Sequence, residues 1–186
     1  MKKVLVAMSG GVDSSVAAQL IKDKGYDCIG ATMRLFDSED SGTYSDKPCC
    51  SMDDAEDART VCAKIGIKHY VLDFRGDFRR CVIDRFVNSY EVGETPNPCV
   101  DCNRYLKFQA LYEKGKIFGC DYIVTGHYAK VEKRSDRFFL KKSKDKTKDQ
   151  SYFLYNLSQE QLAHTIFPLG AMSKTETRAI AEKYNF

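Results

Sequence analysis

The chain has 186 residues, 43% of them hydrophobic and 30% charged, and its 29 basic and 26 acidic residues leave a net charge of +3. A chain of this size and composition can bury a core without disulfide staples and suits one α/β domain with a small appendage. No apolar run approaches the roughly 20 residues of a membrane span, and so small a charge excess does not by itself indicate a nucleic-acid partner.

Met1-Lys2-Lys3-Val4 enters a strand directly and shows no cleavable signal pattern, so a cytoplasmic location is expected. The unbroken apolar run from Val4 to Met8 predicts a buried parallel strand over 3–8. Val16, Ala17, Leu20 and Ile21 keep a helical period, which predicts a helix over 14–24 with Gly25 as its C-cap. A second strand over 28–35 completes a right-handed crossover unit. Residues 36–50, rich in Ser, Asp and Gly, read as a surface loop. A helix is expected from Ser51 to Gly66, with Asp53, Asp54 and Glu56 in its first turns as the helix dipole favours. A strand over 69–74 and a helix over 78–92 follow, the helix ended by Gly93. Two prolines keep 94–98 from being helical. Then come a helix over 104–118, a buried strand over 122–125, and a candidate hairpin of 128–132 with 137–141. Ser158-x-x-Gln161 and Ser173-x-x-Glu176 are capping boxes in a helical tail. The alternation of strand and helix predicts an α/β fold, a doubly wound parallel sheet flanked by helices with a small helical C-terminal appendage. The division expected is a catalytic domain over 1–150 and a helical segment over 151–186.

Ser9-Gly10-Gly11-Val12-Asp13-Ser14-Ser15 lies between the first strand and the first helix. Backbone N–H groups converge at such a junction and the helix dipole favours an anion, so the loop is a candidate phosphate cradle. Paired glycines let the backbone approach closely, the three serines add hydroxyl donors, and Asp13 can orient the loop or hold Mg2+. A Walker loop would need a lysine that is absent here, and a G-x-G-x-x-G fingerprint is also missing.

The eight cysteines, without a secretory signal, do not suggest a disulfide framework. Cys28, Cys62, Cys81 and Cys120 fall where small core residues are expected. Cys99 and Cys102 sit instead in Thr95-Pro96-Asn97-Pro98-Cys99-Val100-Asp101-Cys102-Asn103. Cys102 stands next to a helix start, which favours thiolate, on a proline-bounded loop suited to a nucleophile. A buried structural pair and a metal or iron–sulfur site remain open, although one C-x-x-C supplies two ligands where a closed site wants four. Lys141, Lys142, Lys144, Lys146 and Lys148 form a basic run, either a solvated loop or a phosphate-backbone contact. Tyr152, Phe153 and Tyr155 can stack on bases or belong to the core. His127, at a strand's carboxyl end, is either a ligand or an ordinary loop histidine.

The glycine-rich loop resembles the SGGxDS signature of PP-loop ATP pyrophosphatases, of the adenine-nucleotide α-hydrolase-like fold. Together with Glu56-Asp57-Ala58-Arg59, Thr95-Pro96-Asn97-Pro98, Cys102-Asn103, Lys107-Phe108, Thr125-Gly126-His127-Tyr128-Ala129, Lys148-Asp149-Gln150-Ser151-Tyr152-Phe153-Leu154 and Phe167-Pro168-Leu169-Gly170, it resembles the tRNA-specific 2-thiouridylases. The resemblance implies ATP, with Mg2+, bound by Ala7, Met8, Ser9, Gly10, Gly11, Val12, Asp13 and Ser14, with Met33 near the adenine and Gly126 lining the site. It implies adenylation of the C2 oxygen of a tRNA wobble uridine. Cys102 matches the nucleophile, with Asp13 in activation, and a second cysteine carries a persulfide from a sulfur-relay partner; the two end as a disulfide. Asn97, Pro98 and Cys99 match the segment facing the target base, and His127, Lys148, Asp149 and Gln150 match tRNA contacts. Cys99 stands where the commoner family form has aspartate, which favours a Cys99–Cys102 disulfide or a metal site and leaves open which of the two thiols is the nucleophile. The family's persulfide cysteine lies beyond Cys120, the last cysteine here, so an N-terminal fragment of a longer enzyme with a further β-rich domain is expected.

Overall fold

The computed structural model describes residues 1–36 and 52–186. The loop expected to end at Cys50, the helix start expected at Ser51, and Cys49 and Cys50 themselves lie outside the described residues.

Five parallel strands form one sheet in the order β3-β2-β1-β4-β7: β1 Lys3–Ala7, β2 Asp27–Arg34, β3 Lys68–Asp73, β4 Tyr122–Val124 and β7 Thr165–Ile166. β1 is central, and its side chains alternate between two cores. Leu5 packs with Ile29, Leu106, Leu111 and Ile123 on one face. Val4 and Val6 pack with Val16, Ala17, Val124 and Ala181 on the other. Each such fully buried aliphatic stabilises the fold by about 1.5–3 kcal/mol relative to exposure. Helices α1 (Val12–Asp23) and α2 (Met52–Ile65) follow the pattern expected for a doubly wound sheet, and the strand order reverses between β1 and β4. Ligands bind at the carboxyl ends of strands at such a switch point.

The two middle helices begin earlier than expected. α3 (Arg75–Phe78) runs through a π-helical stretch, Arg79–Ile83, into α4 (Asp84–Glu91). α5 (Pro98–Asp101) continues through a π-helical stretch, Cys102–Ala110, into α6 (Leu111–Ile117). Pro98 therefore opens a helix at its first position, where a missing N–H costs nothing. Cys102 lies inside that helix, not before one, because Asn97 caps it: the Asn97 carboxamide oxygen accepts from the Cys99 N–H at 3.1 Å.

The hairpin forms from β5 (Ala129–Arg134) and β6 (Arg137–Lys142), joined by the two residues Ser135 and Asp136, with Ser135 at φ 51°. The open edge of β6 is held by the Gln159 carboxamide, which accepts from the Phe138 N–H (2.8 Å) and donates to the Phe138 carbonyl (2.9 Å). Both capping boxes form, at the starts of α7 (Gln159–Ala163) and α8 (Lys174–Tyr184). Between them the two-residue strand β7, which the sequence pattern did not suggest, adds to the sheet edge beside β4. α8 packs on the α1 layer through Ala181, and the Tyr184 hydroxyl donates to Asp23 at 3.2 Å.

The Ser173 hydroxyl accepts from the Glu176 N–H at 3.2 Å. Ser173→Ala removes that cap. Urea unfolding is expected to show a loss of about 1 kcal/mol.

Candidate nucleotide and thiol site

The loop after β1 is bent onto itself by its own hydroxyls. Ser14 Oγ donates to the Gly11 carbonyl at 2.8 Å and Ser15 Oγ to the same oxygen at 3.0 Å. Ser14 Oγ also accepts from the Ser9 N–H at 3.3 Å. Gly11 is the N-cap of the 12-residue helix α1, and no side chain caps that start. The first N–H groups of an α-helix have no intrahelical acceptor, so this end of α1 has the electrostatics of an anion site. Gly10 sits at φ +72°, and a Cβ there would come within 2.5 Å of the Asp54 carbonyl oxygen, so α2 packs directly on the loop.

The loop after β4 meets the same helix start. A Cβ on Gly126 would stand 2.8 Å from the Asp13 carbonyl carbon and 2.9 Å from the Ser14 nitrogen. Only glycine permits this approach, which brings Gly126 against the loop that follows β1. Asp13 is the electrostatic centre of the cluster. Its Oδ1 accepts from Lys174 Nζ at 2.6 Å and from the Tyr128 hydroxyl at 2.9 Å. Burial, with the bond to Asp13 adding, pushes the Tyr128 phenol up to about 12, so it remains a donor. Thr177 Oγ1 lies 2.9 Å from the same hydroxyl. Neither Tyr128 nor Lys174 was singled out from the sequence. Lys174 stands 161 positions from Asp13, and its one sequence signal is its place directly after a helix cap. Met8 is buried beneath the loop, and Met33 is buried on β2 within the core cluster that Ala7 borders.

Among the thiols, Cys28, Cys62 and Cys120 are buried, and burial pushes Cys28 up to about 11 and Cys62 up to about 12. These are inert core positions, as expected. Cys81 is only partly covered. Cys99 is exposed and Cys102 half-buried, and the two do not form a disulfide with each other. Among the described residues no group of three His, Cys, Asp or Glu side chains is placed to hold a metal ion. The helix carrying Cys102 reaches the nucleotide side twice. Asn103 Nδ2 donates to the Phe153 carbonyl at 3.1 Å. Phe108, six residues on, packs on the His127 ring with centroids 5.9 Å apart.

His127 is wedged between Phe108 and Phe167, and its Nδ1 lies 2.8 Å from Thr125 Oγ1. Burial, then the nearby Lys107 charge, holds it well below its ordinary value, so the ring is neutral at neutral pH. Asp149 and Gln150 hold the loop that carries them. Asp149 accepts from the Ser143 N–H (2.7 Å) and the Ser151 hydroxyl (2.6 Å), and Gln150 Oε1 accepts from the Tyr128 N–H at 2.9 Å. Lys148 is exposed. Of the three aromatics, Tyr152 and Tyr155 are 63% and 67% exposed, with ring centroids 6.1 Å apart, so both lie on the surface rather than in the core.

A parallel sheet with a glycine-rich anion loop at its switch point defines a nucleotide-binding α/β protein, and comparison with known proteins narrows the class. Residues 2–186 match the model of the tRNA methyl transferase HUP domain family, and the chain belongs to that family. It is 53% identical over 182 residues to the tRNA-specific 2-thiouridylase MnmA of Clostridium beijerinckii, covering 98% of this chain and 51% of that protein. It is 51% identical to the protein of the same name from Symbiobacterium thermophilum, covering 100% of this chain and 49% of that one. The chain thus spans about half the length of the curated relatives it matches. Among solved structures, the NH3-dependent NAD synthetase of Campylobacter jejuni aligns with a TM-score of 0.56 at 19% identity, over 100% of this chain and 64% of that one. The NMN synthetase of Francisella tularensis aligns with 0.56 at 17%, over 99% and 61%. At those identities the likeness is one of fold. Among the described residues no helix is long and apolar enough to cross a membrane.

His69 resembles His127 in being neutralised by burial, with the Arg59 charge adding to the effect, and it bonds to Thr32 at 2.9 Å, which in turn donates to the Met8 carbonyl. Both histidines therefore lie below the ordinary value of 6.5 in the folded state. Below that value the unfolded chain binds protons that the folded chain refuses, so this stabilisation is present above it and is lost as pH falls towards the folded values. The melting temperature is expected to fall between about pH 7 and pH 5, and His127→Gln should make that dependence shallower.

Proposed function

We propose that this chain is the ATP-binding catalytic part of a cytoplasmic tRNA-uridine 2-sulfurtransferase. The observation that carries the reading is the close approach of Gly126 to Asp13 and Ser14. That approach sets the start of α1 and the Lys174–Asp13 pair beside the loop after β4, whose His127 touches the helix that carries Cys102, and this supports the reading. The names of the relatives, at 51–53% identity, supply the substrate.

In this reading the C2 oxygen of the uridine attacks the α-phosphorus of ATP, the bond to the bridging oxygen breaks, and pyrophosphate leaves. The start of α1 and Lys174 offset the charge that builds on the phosphates. Asp13 is the carboxylate at the loop, and the site fits Mg2+ carried by the nucleotide, since such an ion needs only one or two carboxylates beside the phosphates. Mg2+ would supply further neutralisation of phosphate charge. Sulfur then replaces the activated oxygen. The outer sulfur of a persulfide on a second cysteine bonds to C2, AMP leaves, and the Cys102 thiolate attacks the inner sulfur. A disulfide forms between the two cysteines, and the sulfur left on the base completes the thiouridine. A sulfur-relay protein renews the persulfide. Asn97, Pro98 and Cys99 face the base, Met33 lies towards the adenine, and His127 and Lys148 to Gln150, with the segment 151–186, contact the tRNA.

ATP–pyrophosphate exchange on the full-length protein tests this reading. Exchange is expected to require tRNA, to vanish in Asp13→Ala, and to persist in Cys102→Ser while thiolation is lost. Exchange indifferent to tRNA would overturn the tRNA reading. Lys174→Met removes one charge-assisted contact to phosphate, worth about 1.5–3 kcal/mol. It should therefore slow exchange roughly 10- to 100-fold, with Lys174→Arg slowed less.

A further inference from the structure

The net charge of the chain hides a strong segregation. Residues 129–142 hold six basic and two acidic side chains, a larger excess than the +3 of the entire chain, so the remainder is net negative. These fourteen residues are the β5–β6 hairpin. Its register sorts them by face. Lys133, Phe138, Val131 and Leu140 lie on one side, where Val131, Phe138 and Leu140 pack against the core. The opposite side pairs Lys130 with Lys141, Glu132 with Phe139, and Arg134 with Arg137. That side faces solvent: Arg134 and Arg137 are exposed, and Phe139 is 44% exposed. Glu132 bridges Arg134 and Lys141, while Lys130 and Arg137 have no carboxylate partner among the described residues. Asp136, at the turn, is the hairpin's other acid. The Arg134 guanidinium lies 5.8 Å from the centre of the Phe139 ring.

The hairpin is rooted in the nucleotide site. β5 begins one residue after Tyr128, whose hydroxyl binds Asp13, and β6 ends one residue before Ser143, which bonds to Asp149. Strands of six residues carry the basic face about 20 Å outward from that root. A nucleotide alone cannot use a surface of this length, whereas a polyanion with one residue in the site can.

We infer that the solvent face of the β5–β6 hairpin, formed by Lys130, Arg134, Arg137, Phe139 and Lys141, docks the phosphate backbone of a folded RNA whose reacting base lies at the switch point. This rests on the tRNA reading above and extends it to a surface outside the matched site motifs. Glu132 serves as an internal counter-ion: it fixes Arg134 and Lys141 along the strand in the free protein and opposes RNA in the complex. A docking role and a purely structural ion triad therefore predict opposite effects of removing it.

Affinity of the full-length protein for a labelled tRNA transcript, measured across a salt series, tests the inference. Arg134→Gln/Arg137→Gln is expected to weaken binding about 10-fold or more near 0.1 M salt and to lower the slope of log affinity against log salt by about 1.5–2. Glu132→Gln should tighten binding. ATP binding without tRNA should be unchanged in both. If the double variant does not fold, Lys130→Gln, which breaks no ion pair, should lower the slope by about 0.7–0.9. Wild-type affinity and slope in these variants would overturn the inference while leaving the tRNA reading standing. Loss of binding to anionic phospholipid vesicles with full tRNA affinity would overturn it in favour of a membrane. No tRNA binding by the wild type would remove the reading on which it rests, and the inference with it.

Discussion

The backbone of Gly126 lies against the backbone of Asp13 and Ser14, and the arrangement of the molecule around its site follows from that contact. β1 and β4 are neighbours in the sheet, so the loops that follow them start side by side. With any side chain at 126 the loops would have to part, since a Cβ would meet backbone atoms at 2.8–2.9 Å and backbone cannot swing aside. Because they touch, the next residue but one, Tyr128, reaches Asp13, and Gln150 then clamps the Tyr128 backbone from the far end of the hairpin. One missing methyl group thus joins the loop at residues 13–14 to two stretches, at 126–128 and 150, that lie more than a hundred residues further along the chain.

That junction also sets the charge state of the loop at rest. Lys174 and Asp13 are both partly withdrawn from water, and a half-buried lysine beside a helix start would be repelled by the dipole's positive end if it stood alone. Asp13 offsets that repulsion, and Tyr128, held protonated, adds a neutral donor to the same oxygen. In the proposed function a polyphosphate entering here would meet a cation already positioned, and its binding would exchange Lys174 from carboxylate to phosphate rather than order a free side chain. Preorganised charge of this kind costs little reorganisation when negative charge develops.

The parts of this design that were legible in the sequence are those written in local pattern. The apolar run of β1, the glycines and serines of the loop, both capping boxes and the hairpin are each encoded within fourteen residues or fewer, and each forms. Absence of a Walker lysine was also legible, but not the origin of the cation that replaces it. Lys174 looks like any first-turn helix residue until the sheet closes and brings it 161 positions back to Asp13. β7 escaped notice because two residues carry no period and their pairing is chosen by β4. The early start at Pro98 reflects the ambiguity of proline, which breaks a helix interior but suits a helix start. That ambiguity moved Cys102 from the entrance of a helix to its interior.

The inward position of Cys102 changes what links it to the nucleotide. A thiol on a free loop would be positioned by the loop's own rigidity. On a helix that continues to Ile117 it is positioned by whatever the helix packs against, and that includes the ring of His127 and the carbonyl of Phe153. His127 is neutral and packed between Phe108 and Phe167, so it meets that helix as an uncharged ring. Protonating it would place an uncompensated charge between two aromatic edges. Burial keeps His127 neutral where it touches that helix, so its contact with Phe108 is one of packing and brings no charge to it.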